Sequence, residues 1–314
     1  MKLVTYEGAD GRKLGAVEGD WVVNVAEAID WGGLLPKPEP ALRAAIERLE
    51  AGAGTPFDMI DLISRGPEYL RALGAVTSAA AGRGAEPGLV APLSEVRLRA
   101  PIARPPKITC VGLNYAEHAH EQNIEAPAAP VFFLKASNTI IGPGDPIRLP
   151  PNTNQPDYEA ELAVVIGKGG SRIQQNRAWE HVAGYTILND VTARDMQHGD
   201  KQWFRGKSCD TFAPTGPWVV TADELTDPNS LAISLTLNGE VMQSSNTSNF
   251  IHKIDFLISY LSQSLSWEAG DLLSTGTPPG VGVFRNPPVF IKPGDEITVR
   301  VEGIGELTNR VVGP

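Results

Sequence analysis

The spacing of apolar residues changes period along the chain. Three short alternating runs open it: Leu3–Glu7, Lys13–Glu18 and Trp21–Val25, punctuated by Asp10-Gly11 and Gly19-Asp20. That pattern predicts a three-stranded meander. Leu42, Ala45, Ile46 and Leu49 then fall at i, i+3, i+4 and i+7, with Pro40 before them and Gly52 after, so a helix is predicted there. A second helical stretch is predicted over Phe57–Ile63. The run from Ala79 to Gly88 is small and Gly-rich and reads as a surface loop or linker. A boundary between it and the Pro-rich Pro101–Pro106 divides the chain into 1–100, a small N-terminal domain, and 101–314, a larger one.

From Lys107 onward short apolar runs alternate with Gly/Pro turns: Ile108–Val111, Val131–Leu134, Leu162–Ile166, Tyr185–Leu188, Trp218–Val220, Ile233–Leu237 and the alternating Ile297, Val299, Val301. These predict strands, with Val131–Leu134 a short buried one. One helix interrupts them, carrying Ile254, Leu257, Ile258, Leu261 and Leu265 on one face, with Ser248 and Asn249 as caps. No repeat and no regular strand–helix alternation occurs, which argues against a doubly wound or barrel α/β fold. The expected class is α+β, mostly β.

Composition changes this picture only by exclusion. The 27 Lys+Arg against 37 Asp+Glu give a net charge of −10, unlike the clustered cations of a nucleic-acid binder. No apolar run approaches the ~20 residues of a membrane helix. No signal peptide is recognisable at Met1–Glu7, and Cys110 and Cys209 are too few for a disulfide scaffold. A cytoplasmic protein with neither nucleic-acid nor membrane partners is expected.

The candidate chemistry begins at Asp157-Tyr158-Glu159-Ala160-Glu161-Leu162. On a strand, Glu159 and Glu161 point to one side, ~7 Å apart. Such paired carboxylates suit hard divalent ions; a solvent-facing strand edge has the same pattern. Asp190 follows the apolar run Tyr185–Leu188 and precedes a short helical segment bearing Arg194 and Gln197, as a site at a strand end does, or as a helix cap does. In Ala116–Glu121, His118 and Glu121 sit at i and i+3 and can touch if the segment is helical. A carboxylate-held imidazole makes a general base, or a plain surface ion pair. His120 points elsewhere and is expected in solvent. The stretch Ala116–Glu125 has only Ile124 as a large aliphatic anchor, so it is expected to order fully only over a bound ligand.

Taken together, Val111–His118, Phe133-Leu134-Lys135, Asp157–Leu162, Asn189–Asp195, Gly206-Lys207-Ser208 and Ser274–Pro278 resemble the fumarylacetoacetate hydrolase family from about Lys107 to the C-terminus. The resemblance implies a mixed β-roll catalytic domain behind a small N-terminal α/β domain, and a homodimer. It implies Mg²⁺ or Mn²⁺ (with Ca²⁺ an occupant in crystals) held by Glu159, Glu161 and Asp190. It makes His118 and Glu121 the water-activating dyad and Lys207 a catalytic lysine. Arg194, Gln197, Thr277 and Lys135 become substrate contacts. The chain is most similar to the acylpyruvase-like branch with three carboxylate ligands. The expected reaction is metal-dependent hydrolysis of a C–C bond in a β-diketo acid, an acylpyruvate or a 2,4-diketo-3-deoxy sugar acid. The alternative is a lyase, decarboxylase or isomerase of a 2-oxo acid of the oxaloacetate, ureidoglycolate or oxo-dienoate type, using the same enolate chemistry.

Overall fold

The computed structural model describes residues 1–314 except Ala9, Asp10, Ala53, Asn123 and Ala126. The opening meander is present as Lys2–Gly8, Gly11–Glu18 and Trp21–Asn24, paired antiparallel. Asp10 of its expected first turn lies outside the described residues. The predicted helix spans Pro40–Glu50, and the second is Met59–Ser64, with Phe57 outside it and exposed.

Two helices depart from the sequence expectation. Val25–Gly33 starts directly out of the third strand, because the Asn24 side chain accepts from the Ala26 and Glu27 amides and caps it. Pro67–Ala81 includes the start of the expected linker. Its buried face is Tyr69, Leu70, Leu73, Val76, Thr77 and Ala80, and small residues carry its last turn. The caps expected at Ser248 and Asn249 belong instead to a 3₁₀ turn, Thr247–Asn249. The helix itself runs Ile254–Ser262.

Among the described residues, the strands form one twelve-stranded sheet, one five-stranded sheet and a two-stranded pair. The large sheet carries the meander into the rest of the chain: Lys2 and Leu3 pair with Val220 and Val219 of Ala213–Thr221. From there it continues through Val182–Asn189, Ala160–Ile166, Leu272–Ser274, Ile108–Gly112 and, at the edge, Val131–Lys135. That last strand is not buried as expected, since Val131 and Leu134 are exposed on the sheet's edge. The five-stranded sheet contains Glu240–Asn246, Ala232–Leu237, Glu296–Val301 and Gly305–Val312.

The strand Ala160–Ile166 is buried on both faces, which explains its unbroken apolar run. Leu162, Val164 and Ile166 join Ile233, Leu235, Ile297 and Val299 in the core beneath the smaller sheet. Ala163 and Val165 face the opposite core, with Leu3, Leu62, Leu73 and Val76 of the first hundred residues. Because side chains alternate along a strand, Glu161 and Glu159 continue this second row beyond its apolar part. No helix among the described residues is long and apolar enough to cross a membrane.

Candidate active site

The carboxylates gather where neighbouring strands of the large sheet end. Glu161 lies opposite Leu188, and Asp190 follows immediately after the paired Asn189. Two bonds fix this corner: the Asp190 amide donates to the Glu159 carbonyl at 2.9 Å, and the Glu159 amide donates to Asn189 Oδ1 at 3.0 Å. Glu159, Glu161 and Asp190 are all buried, and each offers an oxygen within 4.8 Å of the others'. The solvent-edge alternative for Glu159 and Glu161 is thereby excluded.

Such a cluster needs counter-charge. Lys207 Nζ bridges Glu159 Oε2 and Asp190 Oδ2, both at 2.7 Å, and is itself buried. Lys135 Nζ donates to Asp190 Oδ1 at 2.6 Å and to the Val191 carbonyl at 3.1 Å. Arg194 Nη2 pairs with Glu159 Oε1 at 2.7 Å while its Nε donates to Asp157 Oδ2 at 2.8 Å. Gly206 lets the Lys207 helix approach, since a Cβ there would come within 2.6 Å of the Gln197 amide nitrogen. Burial by itself would raise the Glu159 pKa, but Lys207 and Arg194 outweigh it and hold the group below the usual carboxylate range. Lys207 shifts the complementary way: burial alone would lower its pKa, and Asp190 and Glu159 raise it.

Glu161 is different. No Lys, Arg or His lies within salt-bridge distance among the described residues. Among the described residues its Oε2 accepts only from Ser274 Oγ at 2.5 Å and the Gly276 amide at 3.0 Å. Gly276 can aim that amide because its φ of +97° is open to glycine, and a Cβ would strike Asn114. Burial, then Asp190, then Glu159 push the Glu161 carboxyl well above its usual range. Three hard oxygen donors and an acid without a counter-ion fit a divalent cation.

A cavity of about 280 Å³ opens onto this cluster. Its wall includes His118, Glu159, Glu161, Arg194, Gln197, Lys207 and Thr277, so most of the expected residues converge. Lys135 does not line it; its side chain is fully buried behind Asp190 and braces that carboxylate. The helix Ala116–Glu121 is formed, His118 is buried, and His120 is exposed as expected. His118 Nδ1 lies 3.0 Å from Glu121 Oε2, and Glu121 Oε1 accepts from the Gly280 amide at 3.0 Å. A carboxylate only accepts, so Nδ1 carries the hydrogen and Nε2 the lone pair. The Gln122 amide sits 2.8 Å from that nitrogen and donates to it.

Several contributors went unassigned in the sequence. Asp157 accepts from the Gly282 and Val283 amides at 2.8 and 3.0 Å and so ties Arg194 to the loop after Thr277. Its place two residues before Glu159, on the same alternating row, was the signal that could have found it. Ser274 and the cavity-lining Phe284 carry no local pattern and are brought in across long stretches of chain, 113 residues between Ser274 and Glu161.

Comparison with known proteins adds to this geometry. The family described as Fumarylacetoacetate (FAA) hydrolase C-terminal matches residues 107–312. Oxaloacetate tautomerase FAHD2A, mitochondrial, from Bos taurus is 52% identical over 225 residues, covering 71% of this chain and 72% of that protein. Fumarylacetoacetate hydrolase from Exiguobacterium antarcticum superposes with a TM-score of 0.80 at 34% identity over the full length of both chains. The 5-carboxymethyl-2-hydroxymuconate delta-isomerase from Mycobacterium smegmatis gives 0.73 at 35% identity, again over both whole chains.

Proposed function

The chain belongs to the fumarylacetoacetate hydrolase family, and we propose that it is a divalent-cation-dependent enzyme interconverting the keto and enol forms of a small 2-oxo dicarboxylic acid of the oxaloacetate type. The observation that carries this reading is the likeness to the bovine tautomerase. The order of preference expected from sequence is thereby reversed: tautomerisation or isomerisation comes ahead of diketo-acid hydrolysis.

Glu159, Glu161 and Asp190 would hold the ion, and Mg²⁺ or Mn²⁺ suits their oxygen donors. Bound there, it would act as a Lewis acid toward the substrate's 2-oxo group. His118 moves the proton. Its Nε2 takes hydrogen from C3, the C3–H electrons become the C2=C3 double bond, and the carbonyl oxygen becomes an enolate that is then protonated. Glu121 keeps the ring in the needed tautomer and balances the imidazolium; a positioned base of this kind contributes about 10²–10⁴-fold. Lys207 supplies positive charge beside the developing enolate. Gln197 accepts from Arg194 through Oε1 at 3.1 Å, which leaves its NH₂ group as a donor for the cavity.

The His118–Glu121 geometry also supports the second reading, in which Nε2 deprotonates water for cleavage of a β-diketo acid. In either reading the Gln122 amide that donates to Nε2 has to yield that lone pair to the substrate or to water. The deciding experiment follows enol-to-keto conversion of oxaloacetate beside acylpyruvate cleavage, each with Mg²⁺ and then with a chelator. Chelator-sensitive tautomerisation is expected. An uncatalysed tautomerisation rate together with acylpyruvate cleavage would transfer the assignment to hydrolysis.

We infer in addition that two copies associate. Exposed Val131 and Leu134 on an edge strand, with exposed Phe204 on the adjoining helix, support this. Light scattering should give a dimer, and Leu134→Asp a monomer.

A further inference from the structure

Taking a 2-oxo carboxylate as the occupant of the cavity, as above, we propose that Gln243 is a positioning residue that turns the Thr277 hydroxyl into a hydrogen-bond donor toward that substrate. Gln243 lies on Glu240–Asn246, in the five-stranded sheet, and lines no part of the cavity. A register irregularity between Leu235 and Thr236 disrupts the alternation of its strand, so Met242 and Gln243 both point inward. A polar amide is thus carried into the interior, 1% exposed.

Its partners fix which way the amide faces. Oε1 accepts from the Ala160 amide at 2.9 Å, a group that can only donate. Nε2 donates to the Pro278 carbonyl at 2.8 Å, a group that can only accept. The flipped amide would set donor against donor and acceptor against acceptor. The second Nε2 hydrogen therefore goes to Thr277 Oγ1, also at 2.8 Å.

A hydroxyl has one hydrogen to give. With Gln243 donating to it, Thr277 cannot return that hydrogen to Nε2, and no protein acceptor for it is recorded among the described residues. Thr277 is 4% exposed and lines the cavity with Glu159, Glu161 and Lys207. The hydrogen is left for an acceptor inside the cavity, such as a carboxylate oxygen of the bound acid. Gln243 also joins the loop after Gly276 to Ala160, the residue between two carboxylate ligands. The donor is thereby held in fixed relation to the metal-binding strand.

The test is calorimetric titration of oxalate, a non-reacting mimic of the 2-oxo carboxylate, into Mg²⁺-loaded wild type, Gln243→Met, Thr277→Val and the double variant. Each single change should weaken oxalate about ten-fold or more, the range for a hydrogen bond to a charged group. The double should be little weaker than either, because both remove the same hydrogen bond. Mg²⁺ titrated alone should bind Gln243→Met within about threefold of wild type, since the lost contact is to the substrate. Gln243→Glu, which keeps the shape and the Ala160 contact but accepts where the amide donated, should weaken oxalate likewise; Thr277→Ser should not. Additive losses, or parallel loss of Mg²⁺ and oxalate affinity, would overturn the positioning role. Wild type that binds no oxalate in the presence of Mg²⁺ would overturn the 2-oxo acid reading, and this role with it.

Discussion

Lys207→Met removes the cation that bridges two of the three clustered carboxylates. In the metal-free protein the lysine ammonium makes two 2.7 Å contacts, to Glu159 and Asp190, from a position 2% exposed. Breaking a buried pair from one side costs about 3–5 kcal/mol, because the remaining charges stay buried without compensation. Lys135 and Arg194 still neutralise part of the cluster, so the lower end, about 3 kcal/mol, is expected. For 314 residues the entropy of unfolding is roughly 0.7 kcal/mol/K, so Tm should fall by about 4–5 °C. A divalent cation replaces the missing charge, and by linkage the variant should regain most of that loss on binding it. If about 2 kcal/mol is regained, Mg²⁺ binds the variant some thirty-fold more tightly than wild type, even as turnover collapses. Chelator-stripped protein is the material for both measurements: thermal unfolding with and without Mg²⁺, and Mg²⁺ titration calorimetry. Equal or weaker Mg²⁺ affinity in the variant would show that lysine and ion do not neutralise the same carboxylates, and the charge argument would fail.

Three further outcomes follow from the geometry. His118→Ala should cut tautomerisation by about 10²–10⁴-fold while leaving Mg²⁺ affinity intact; loss of metal binding in that variant would move His118 from proton transfer to scaffolding. Asp157→Asn should weaken the Arg194 pair and the loop amides held at Gly282 and Val283, lowering stability by about 2–4 kcal/mol. An unchanged melting curve would contradict that. In the helix Ala116–Glu121, whose apolar anchoring is slight, amide exchange should slow when Mg²⁺ and oxalate are added; full protection before addition would mean the base is already locked in place.

What the sequence disclosed depended on how far apart the interacting residues lie. The meander, the helix Pro40–Glu50 and the strand Ala160–Ile166 are written in local periodicity, and they formed as read. Val25–Gly33 was missed because its buried positions, Val25, Ala28 and Gly32, are too small to mark a face. The end of Pro67–Ala81 was read as linker for the same reason. Val131–Leu134 misled in the opposite sense: four apolar residues suggested burial, yet the strand has a neighbour on one side only. In the site, the Glu159–Glu161 and His118–Glu121 pairs were legible from close spacing, and Asp190 from its place just after an apolar strand. The contacts of Lys135 and Gln243 were not, since they reach partners 34 to 83 residues away.

The corner holding the carboxylates also governs when it can exist during folding. Ser274 reaches Glu161 across 113 positions of chain, Gly282 reaches Asp157 across 125, and Leu272–Ser274 lies parallel to Ile108–Gly112. Closing such long loops is entropically slow, and parallel pairing rewards it late. The three carboxylates themselves lie at the ends of two directly paired strands, but the groups that orient Glu161 and Asp157 arrive only when these long loops close. A site of full affinity for a divalent ion should therefore be completed only late in refolding, its binding signal lagging behind the growth of sheet structure.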